Sequence, residues 1–336
     1  MKILLSSYAF YPSIGGLEAT SAMLAEQFVA RGHQVVIVTD TVGDSGAAPY
    51  KVVRRPAKRQ LFELVRWCDV YLQNNISLNH AWPLLLRRRP WAIINNGVIG
   101  RNVAGRVKLF CARFAATSGV SEDAARNIGA KTVIPNCYDN GLFRELPDEK
   151  RELELMFLGR LVTEKGVDVL LRALHQLKIG GMAPRLTIVG GGPEEASLRK
   201  LASELGVQEQ VTFAGVRRDE ALVRELNRHK IMVVPSTYNE PFGIVALEAI
   251  ACGCVVVGSE RGGLREAIGP CGPTFPNGDA ATLAECLKGL LTDESKMRAY
   301  RERAPGHLAR FTKEGVCETY LKVLSRLCRL PMDEES

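Results

Sequence analysis

The sequence of 336 residues lacks any apolar run near the ~20 residues that a helix needs to cross a bilayer. Its start, MKILLSSYAFYP, lacks the apolar core and cleavage site of a signal peptide and favours a first buried strand. The nine cysteines show no paired spacing, and Cys252 and Cys254 are too close for a C-x2-C metal knuckle. We therefore expect reduced, mostly buried thiols in a cytoplasmic protein.

Several motifs of common enzyme classes are also missing. No Asp-x-Asp, His/Cys ligand spacing, G-x-S-x-G or P-loop lysine motif occurs in the sequence. These absences count against a metal site, a serine hydrolase and an ATPase. We predict no metal and no bound cofactor.

The net positive charge of the chain comes entirely from its first half. Residues 1–148 contain 18 Lys and Arg against 11 Asp and Glu, whereas the rest contains 26 of each kind. The excess lies in clusters at residues 54–55, 58–59, 87–89 and 101–113. A first half with this net charge could bind an anionic lipid surface or a phosphorylated substrate. The alternative is an ordinary solvated basic surface. We expect no nucleic-acid partner, because no stacking aromatics interleave with these clusters.

Strands and helices alternate along the whole chain. In the first half KILLSSY, QVVIVTD, DVYLQ, WAIIN, RFAATS and KTVIPN are apolar enough for buried parallel strands, with helices between them. A second series starts after the polar segment RELPDEKRE. We predict an α/β fold of two Rossmann-like, doubly wound parallel-sheet domains facing each other across a cleft. The expected domains are 1–146 and 147–315, and 316–336 forms a C-terminal helix and tail that returns to the first domain.

Two glutamates bracket the segment EPFGIVALE. Glu240 lies in a loop after a strand, and the next helix begins near Phe242 or Gly243. The free N–H groups of Gly243, Ile244 and Val245 and the helix dipole suit an anion there. Glu248, one and a half turns inside, could accept hydrogen bonds from a vicinal diol such as a ribose. The alternative is a pair of ordinary helix charges, although an unpaired carboxylate is costly in apolar surroundings.

Three further segments follow strand ends. Arg160 and Lys165 follow the strand in FLGRLVTEKG, where they could neutralise a diphosphate or be two surface cations. Gly190 and Gly191 form a turn suited to a nucleotide's base or sugar. An NAD-binding turn is disfavoured, since Pro193 and two glutamates follow the glycines. The last segment is YPSIGGLE, whose glycines, Gly15 and Gly16, would let backbone approach a phosphate or sugar or form a plain turn.

Taken together, these segments resemble the retaining GT-B glycosyltransferases of family 4, the glycosyl transferases group 1 class. EPFGIVALE matches the E-x7-E motif of that family, and ACGCVVVGSERGGLREAI follows it as in the family. The resemblance covers nearly the whole chain and also rests on these segments: PSIGGLEATSAMLAEQFVARGHQVVIVTD, VIPNCYDNGLF, FLGRLVTEKGVDVLLRAL and VGGGPEEASLRKLASELGVQEQVTFAG.

The resemblance implies a role for each of these residues. Glu248 would bind the ribose, Arg160 and Lys165 would hold the diphosphate, and Gly15 and Gly16 would face the sugar or acceptor. The donor sugar and phosphates would be lined by Glu240, Phe242, Gly243 and Ile244, with Val245 beside them. The donor would be a UDP- or GDP-linked sugar, and the reaction would proceed with retention and without a metal.

One departure concerns a histidine that the family usually carries at the end of a first-domain strand. Here the segment reads WAIINNGVIG, so Asn95 or Asn96 stands in its place. An amide can donate a hydrogen bond to the sugar, as a histidine would, but it carries no proton charge. We assign this role to Asn96. His80 is the nearby alternative, although packing at a helix start explains it better.

The sequence thus predicts a glycosyltransferase that builds a cell-surface polysaccharide, such as lipopolysaccharide, or a glycolipid. Its partners would be the nucleotide-sugar and a glycan or lipid-linked acceptor. The basic first domain could rest on the anionic inner face of a membrane. The alternatives are a non-catalytic nucleotide-sugar-binding protein and an epimerase of the same fold, and the E-x7-E arrangement disfavours the latter.

Overall fold

The structure is a computed structural model that describes residues 1–13, 15–44, 48–100 and 102–329. Arg101 of the basic clusters and the acidic tail from Asp333 to Ser336 lie outside these residues. The chain forms two compact units. The first unit is Met1–Cys137 with the chain from Thr312 onward, and the second unit is Tyr138–Phe311. The domain boundaries proposed from the sequence, after residues 146 and 315, lie nine and four residues beyond the divisions after Cys137 and Phe311.

Among the described residues, seven strands and five α-helices precede the second unit. The strands are β1 Lys2–Ser7, β2 Gln34–Thr39, β3 Lys51–Arg54, β4 Val70–Asn74, β5 Trp91–Asn95, β6 Ala116–Gly119 and β7 Thr132–Val133. The helices are α1 Gly16–Ala30, α2 Lys58–Trp67, α3 Leu78–Ala81, α4 Val103–Ala112 and α5 Glu122–Ile128.

These strands form one parallel sheet in the order β3-β2-β1-β4-β5-β6-β7. Every residue of β4 and β5 is buried, as expected for central parallel strands that helices cover on both faces. Because all strands run the same way, their carboxyl ends share one edge of the sheet, where folds of this type bind ligands.

The second unit repeats this plan. Its strands are β8 Leu153–Leu158, β9 Leu186–Val189, β10 Val211–Gly215, β11 His229–Val234, β12 Val255–Ser259 and β13 Thr274–Phe275. Its helices are α6 Val167–Ile179, α7 Glu195–Glu204, α8 Asp219–Asn227, α9 Ile244–Ala251, α10 Leu264–Ile268, α11 Ala280–Leu291, α12 Glu294–Arg301 and α13 Ala304–Leu308. The parallel sheet has the order β10-β9-β8-β11-β12-β13, so the neighbours β8, β11 and β12 bring their carboxyl ends together.

The last helix, α14 Lys313–Arg329, packs on α1 in the first unit. Tyr320 is buried there and donates a hydrogen bond to the carbonyl of Ile134 at 3.3 Å. Within the described ranges, no helix combines the length and apolar character that crossing a membrane demands.

The predicted fold class is confirmed, since both units are doubly wound parallel α/β sheets. Two strands, β3 and β13, were not predicted from the sequence. Both are short and lie at a sheet edge, where they pair on one side only.

Candidate functional site

The candidate site lies at the carboxyl edge of the second unit's sheet, where β8, β11 and β12 end. Three buried side-chain oxygens there have no hydrogen-bond partner among the described residues: Ser236 Oγ, Glu240 Oε2 and Ser259 Oγ. Buried polar atoms are nearly always paired. Their concentration at one sheet edge indicates a place that water or a polar ligand completes.

Lys165 and Glu240 form the central ion pair. Lys165 follows β8, Glu240 follows β11, and Lys165 Nζ donates to Glu240 Oε1 at 2.5 Å. The Glu240 side chain is 7% exposed, and that of Lys165 is 20% exposed. Lys165 Nζ also donates to the hydroxyl of Tyr238 at 3.3 Å. Burial and the charge of Glu240 raise the pKa of Tyr238, so this hydroxyl stays protonated and fixes the ammonium group without adding charge.

The loop that carries Glu240 is held at both ends. The amide of Asn277 donates to the carbonyls of Ser236 and Tyr238 at 3.0 and 3.1 Å. The Glu240 carbonyl accepts from the Gly263 amide at 2.7 Å. These bonds fix the carboxylate in place. Neither Tyr238 nor Asn277 was predicted from the sequence. Tyr238 stands two residues before Glu240, whereas no local pattern marks Asn277.

Helix α9 begins at Ile244, one or two residues later than the sequence suggested, with Gly243 as its N-cap. Gly243 has φ 96°, and a Cβ there would lie 2.6 Å from Leu264 Cδ1. The glycine is therefore required by the backbone and by packing, whether or not a ligand approaches. Phe242 is buried against Phe311, with ring centroids 5.8 Å apart. Val245 is partly exposed and Ile244 is buried beside it.

Glu248 is half-buried on α9, and no side chain of the described residues pairs with its carboxylate. Burial, and after it the negative charge of Asp139, raises the pKa of Glu248 to about 7. A carboxylate held in this way gains from any ligand that donates hydrogen bonds to it.

The turn of Gly190 and Gly191 packs against the loop that contains Arg160. A Cβ on Gly190 would lie 1.8 Å from the Gly159 carbonyl oxygen, so two backbones touch at this point. The Gly191 carbonyl accepts from the Leu161 amide at 3.0 Å. The turn therefore positions the loop of Arg160, whose side chain is exposed.

In the first unit, Asn96 belongs to a chain of amides at the carboxyl edge of the sheet. Asn96 Nδ2 donates to Asn74 Oδ1 at 2.5 Å, and Asn136 Nδ2 donates to Asn96 Oδ1 at 2.8 Å. Asn74 Nδ2 donates in turn to the Leu17 carbonyl at 3.3 Å and to Ser21 Oγ at 2.7 Å.

The Leu17 carbonyl sets the direction of this chain, because a carbonyl can only accept. Asn74 must present its Nδ2 to it, which leaves Oδ1 for Asn96, and Asn96 Oδ1 is then left for Asn136. The second N–H of Asn96 Nδ2 has no acceptor among the described residues. The amide of Asn96 is thus oriented, with one donor left over.

The side chains of the two alternative residues, Asn95 and His80, are already hydrogen-bonded to other groups. Asn95 is buried, and its Nδ2 donates to the carbonyls of Gly97 and Ala124 at 2.9 and 2.8 Å. His80 is buried in α3, with Nδ1 2.8 Å from Ser6 Oγ and Nε2 3.2 Å from Asp40 Oδ1.

Replacing Asn96 by alanine is expected to destabilise the chain by about 2–4 kcal/mol, because two buried amide groups then lose a partner. Chemical denaturation followed by fluorescence measures this change. Asn79→Ala is the control, since Asn79 is exposed, and should change the stability by less than about 0.5 kcal/mol. Equal effects of the two substitutions would contradict the network.

The loop before α1 also contains an acid that the sequence analysis missed. Glu18 is buried in the first turn of α1, where Ser13 Oγ donates to its Oε1 at 2.9 Å. A Cβ on Gly15 would lie 2.7 Å from Glu18 Oε2, so this glycine makes room for the carboxylate. An acid at this helix start repels phosphate, which leaves Gly15 and Gly16 suited to a neutral sugar.

The described residues form no cluster of cysteines or other metal ligands. Among the described residues, no group of three or more His, Cys, Asp or Glu could hold a metal ion. All nine cysteines are free thiols. Burial raises the pKa of Cys254 to about 11, and also raises that of Cys252, so both are protonated at neutral pH.

Residues 141–307 match the model of the family "Glycosyl transferases group 1". A D-inositol 3-phosphate glycosyltransferase of Corynebacterium jeikeium is 38% identical over 193 residues, 55% of this chain and 46% of the relative. That of Nocardia farcinica is 38% identical over 182 residues, 50% of this chain and 40% of the relative. The matches cover less than half the length of these curated relatives.

Two solved structures are similar over nearly the whole chain. Anabaena Alr3699/HepE, in complex with UDP and glucose, has a TM-score of 0.82 at 22% identity and covers 97% of this chain and 100% of that one. WaaG, a glycosyltransferase involved in lipopolysaccharide biosynthesis, has a TM-score of 0.73 at 19% identity, covering 96% and 99%. At such identities the likeness shows the fold. Residues 141–307 of the second unit thus match the glycosyl transferases group 1 family, which supports the predicted glycosyltransferase class, and both units have the fold of GT-B glycosyltransferases.

Proposed function

We propose that this chain is a retaining, metal-independent glycosyltransferase that moves a sugar from a nucleotide-sugar to a glycan or lipid-linked acceptor. The observation that carries the proposal is the buried pair of Lys165 and Glu240 beside the start of α9, with Arg160 nearby and the unpaired Glu248 on the same helix. This set offers cations to a diphosphate and a carboxylate to a ribose.

In this proposal Lys165, Arg160 and the first amides of α9 hold the diphosphate. An ammonium group has three donors, and Lys165 gives one to Glu240 and one to Tyr238, which leaves one for a phosphate oxygen. The departing diphosphate gains negative charge in the transition state. Fixed cations that need no reorganisation stabilise this charge more than they stabilise the bound donor.

Glu240 and Glu248 have different roles in the proposal. Glu240 orients the ammonium group, and its second oxygen, Oε2, accepts from a sugar hydroxyl. Glu248 accepts from both hydroxyls of the ribose, which requires its ionised form. Phe242, Gly243, Ile244 and Val245 line the sugar and phosphates.

The remaining predicted residues have supporting roles. Gly190 and Gly191 line the nucleotide, and Gly15 and Gly16 face the sugar or acceptor. The free N–H of Asn96 donates to a sugar hydroxyl. We further propose that the leaving phosphate takes the acceptor's proton on the same face of the sugar, which gives retention.

The acceptor is proposed to be anionic and part of a cell-surface polysaccharide or glycolipid. The positive first half of the chain supports this, and the name D-inositol 3-phosphate glycosyltransferase describes relatives that use a phosphorylated acceptor. WaaG is a fold neighbour from lipopolysaccharide biosynthesis. HepE binds UDP, which supports a UDP-linked donor over a GDP-linked one. We place the chain in the cytoplasm, on the inner face of the membrane.

A second candidate function is a nucleotide-sugar-binding protein without turnover. The amide of Asn96 favours it, because this group is already bonded to Asn74 and Asn136 and cannot take up charge. Donor binding is the same in both functions, and only sugar transfer separates them.

A thermal-shift panel of UDP, GDP, ADP and their common sugars, with and without EDTA, tests the donor site. One nucleotide family in excess of its Kd should stabilise the wild type by about 2–4 kcal/mol. EDTA should change nothing, and Glu248→Ala should abolish the shift. If no nucleotide at millimolar concentration shifts the wild type, the donor site is wrong. A shift without transfer to any acceptor would favour the binding protein.

A further inference from the structure

Helix α4 in the first unit carries apolar side chains on the side that faces solvent. Val103, Val107 and Phe110 of α4, and Phe114 two residues after its end, follow one another at helical spacing, and the two phenylalanines are 59% and 72% exposed. Their rings pack on each other with centroids 5.5 Å apart. The opposite side, with Gly105 and Ala112, is buried. A helix on a soluble surface would place polar residues where this stripe lies.

The charge around this stripe has a single sign. Residues 70–121 contain seven lysines and arginines and no aspartate or glutamate. Arg106 and Arg113 are exposed and adjoin the apolar stripe at i+3 spacing from Val103 and Phe110. Neither guanidinium has an ion-pair or hydrogen-bond partner within the described ranges. The stripe is therefore both apolar and surrounded by unneutralised cations.

A second segment of the same character lies beside it. Leu85 and Leu86 are exposed by 85% and 70%, and the run Arg87–Arg89 follows them directly. This segment connects β4 to β5, while α4 connects β5 to β6, so right-handed crossovers place both on one face of the sheet. Leu84, directly before this segment, and Leu109 of α4 pack against the same core cluster.

We propose that this face of the first unit, defined by residues 85–89 and by the exposed stripe of α4, docks on a bilayer surface rich in anionic lipids. The valine, leucine and phenylalanine side chains enter the boundary between headgroups and acyl chains, and the arginines bind lipid phosphates. The proposal gives the surface for the peripheral location suggested above. It does not depend on the nucleotide site.

Other partners fit this face less well. A second copy of the chain would bring like charges together across the contact, which is unfavourable. A nucleic acid would use the arginines and the phenylalanine rings but would leave Val103, Val107, Leu85 and Leu86 without a role. A bilayer uses both the aliphatic side chains and the charge.

Vesicle sedimentation with the full chain tests the proposal. Vesicles of phosphatidylcholine alone are compared with vesicles that also contain phosphatidylglycerol, at low and high salt. The wild type should prefer the anionic vesicles, and salt should weaken binding because it screens the arginines. Phe110→Ser/Phe114→Ser and Arg106→Glu/Arg113→Glu should each weaken binding by about tenfold or more.

The matched control is Arg172→Glu/Ile179→Ser, which removes an exposed cation and an exposed apolar side chain from α6 in the second unit. It should bind as the wild type does. Melting temperatures establish that the variants are folded, and if the phenylalanine pair is not, the charge reversal and the salt dependence decide.

Three results would overturn the proposal. One is no preference of the wild type for anionic vesicles, and another is unchanged binding in both α4 variants. The third is an absence of vesicle binding together with a different interaction, either concentration-dependent self-association or binding of a single-stranded oligonucleotide. That interaction would be weakened by Phe110→Ser/Phe114→Ser. A missing nucleotide shift would count against the donor site and leave this result unaffected.

Discussion

Lys165→Met is expected to lower the rate of sugar transfer by about 10²–10³-fold, the usual effect of removing one fixed group that stabilises a developing charge. The reason is the position of the ammonium group, which Glu240 and Tyr238 hold from two sides at the carboxyl edge of the sheet. In the proposed mechanism its third donor contributes most when the diphosphate departs. The loss should therefore fall on kcat more than on KM.

The substitution also leaves the Glu240 carboxylate buried without a cation, which destabilises a protein by about 3–5 kcal/mol. A loss of activity could then reflect a loss of folded protein. The double variant Lys165→Met/Glu240→Gln removes this charge as well and should recover most of the stability while remaining inactive. Lys165→Arg keeps the charge and should recover part of the activity, limited by the different shape of the guanidinium.

Release of the nucleoside diphosphate from the donor identified by the thermal-shift panel measures the rate. Lys200→Met is the control, because Lys200 lies on the exposed side of α7 in a surface pair with Glu204. Its rate should equal that of the wild type. A Lys165→Met variant that is folded and within about threefold of the wild-type rate would remove Lys165 from the proposed chemistry.

Much of the fold was predictable because strand burial and helix periodicity are local properties. The strand of WAIIN and the helix of VDVLLRALHQL appear at β5 and α6 as their apolar patterns indicate. The strands that were missed, β3 and β13, bury few side chains and pair on one side only, so their sequences carry a weak signal.

The site was predictable only as a set of residues after strand ends. The hydrogen bond between Lys165 and Glu240 joins residues 75 positions apart, and no local sequence pattern near either residue indicates it. The same holds for Asn277, which fixes the loop from another part of the chain. Asn96 was predicted to donate to the donor sugar, but its tertiary contacts with Asn74 and Asn136, which orient the amide, were not visible in the sequence.

Glu248→Gln is expected to stabilise the folded chain at pH 8 and to abolish donor binding. Burial and Asp139 raise the pKa of Glu248 to about 7, whereas the unfolded chain keeps the ordinary value of about 4.3. Between these two values the folded chain binds a proton that the unfolded chain has released. Stability from this group therefore falls as the pH rises through that window, and the full penalty is present above about pH 7.

The expected gain from Glu248→Gln is therefore absent below about pH 4 and grows to ~3–4 kcal/mol above pH 7. Melting temperatures of both proteins from pH 4 to pH 8 measure it, and Glu209→Gln, at an exposed position, should show no such trend. A gain that is equal at every pH would mean that packing, and not ionisation, is responsible.

Donor affinity should have the opposite pH dependence, because in the proposed site the ribose hydroxyls donate to the ionised carboxylate. Binding then lowers the pKa of Glu248, and wild-type affinity should rise with pH and level off above about pH 7. The glutamine variant should show neither the affinity nor its pH dependence, although it is the more stable protein. A residue kept only for packing would not show this opposition, since it would lose stability and binding together. The combination of higher stability with lost binding would thus identify Glu248 as a ligand-binding carboxylate, held at a cost to the fold.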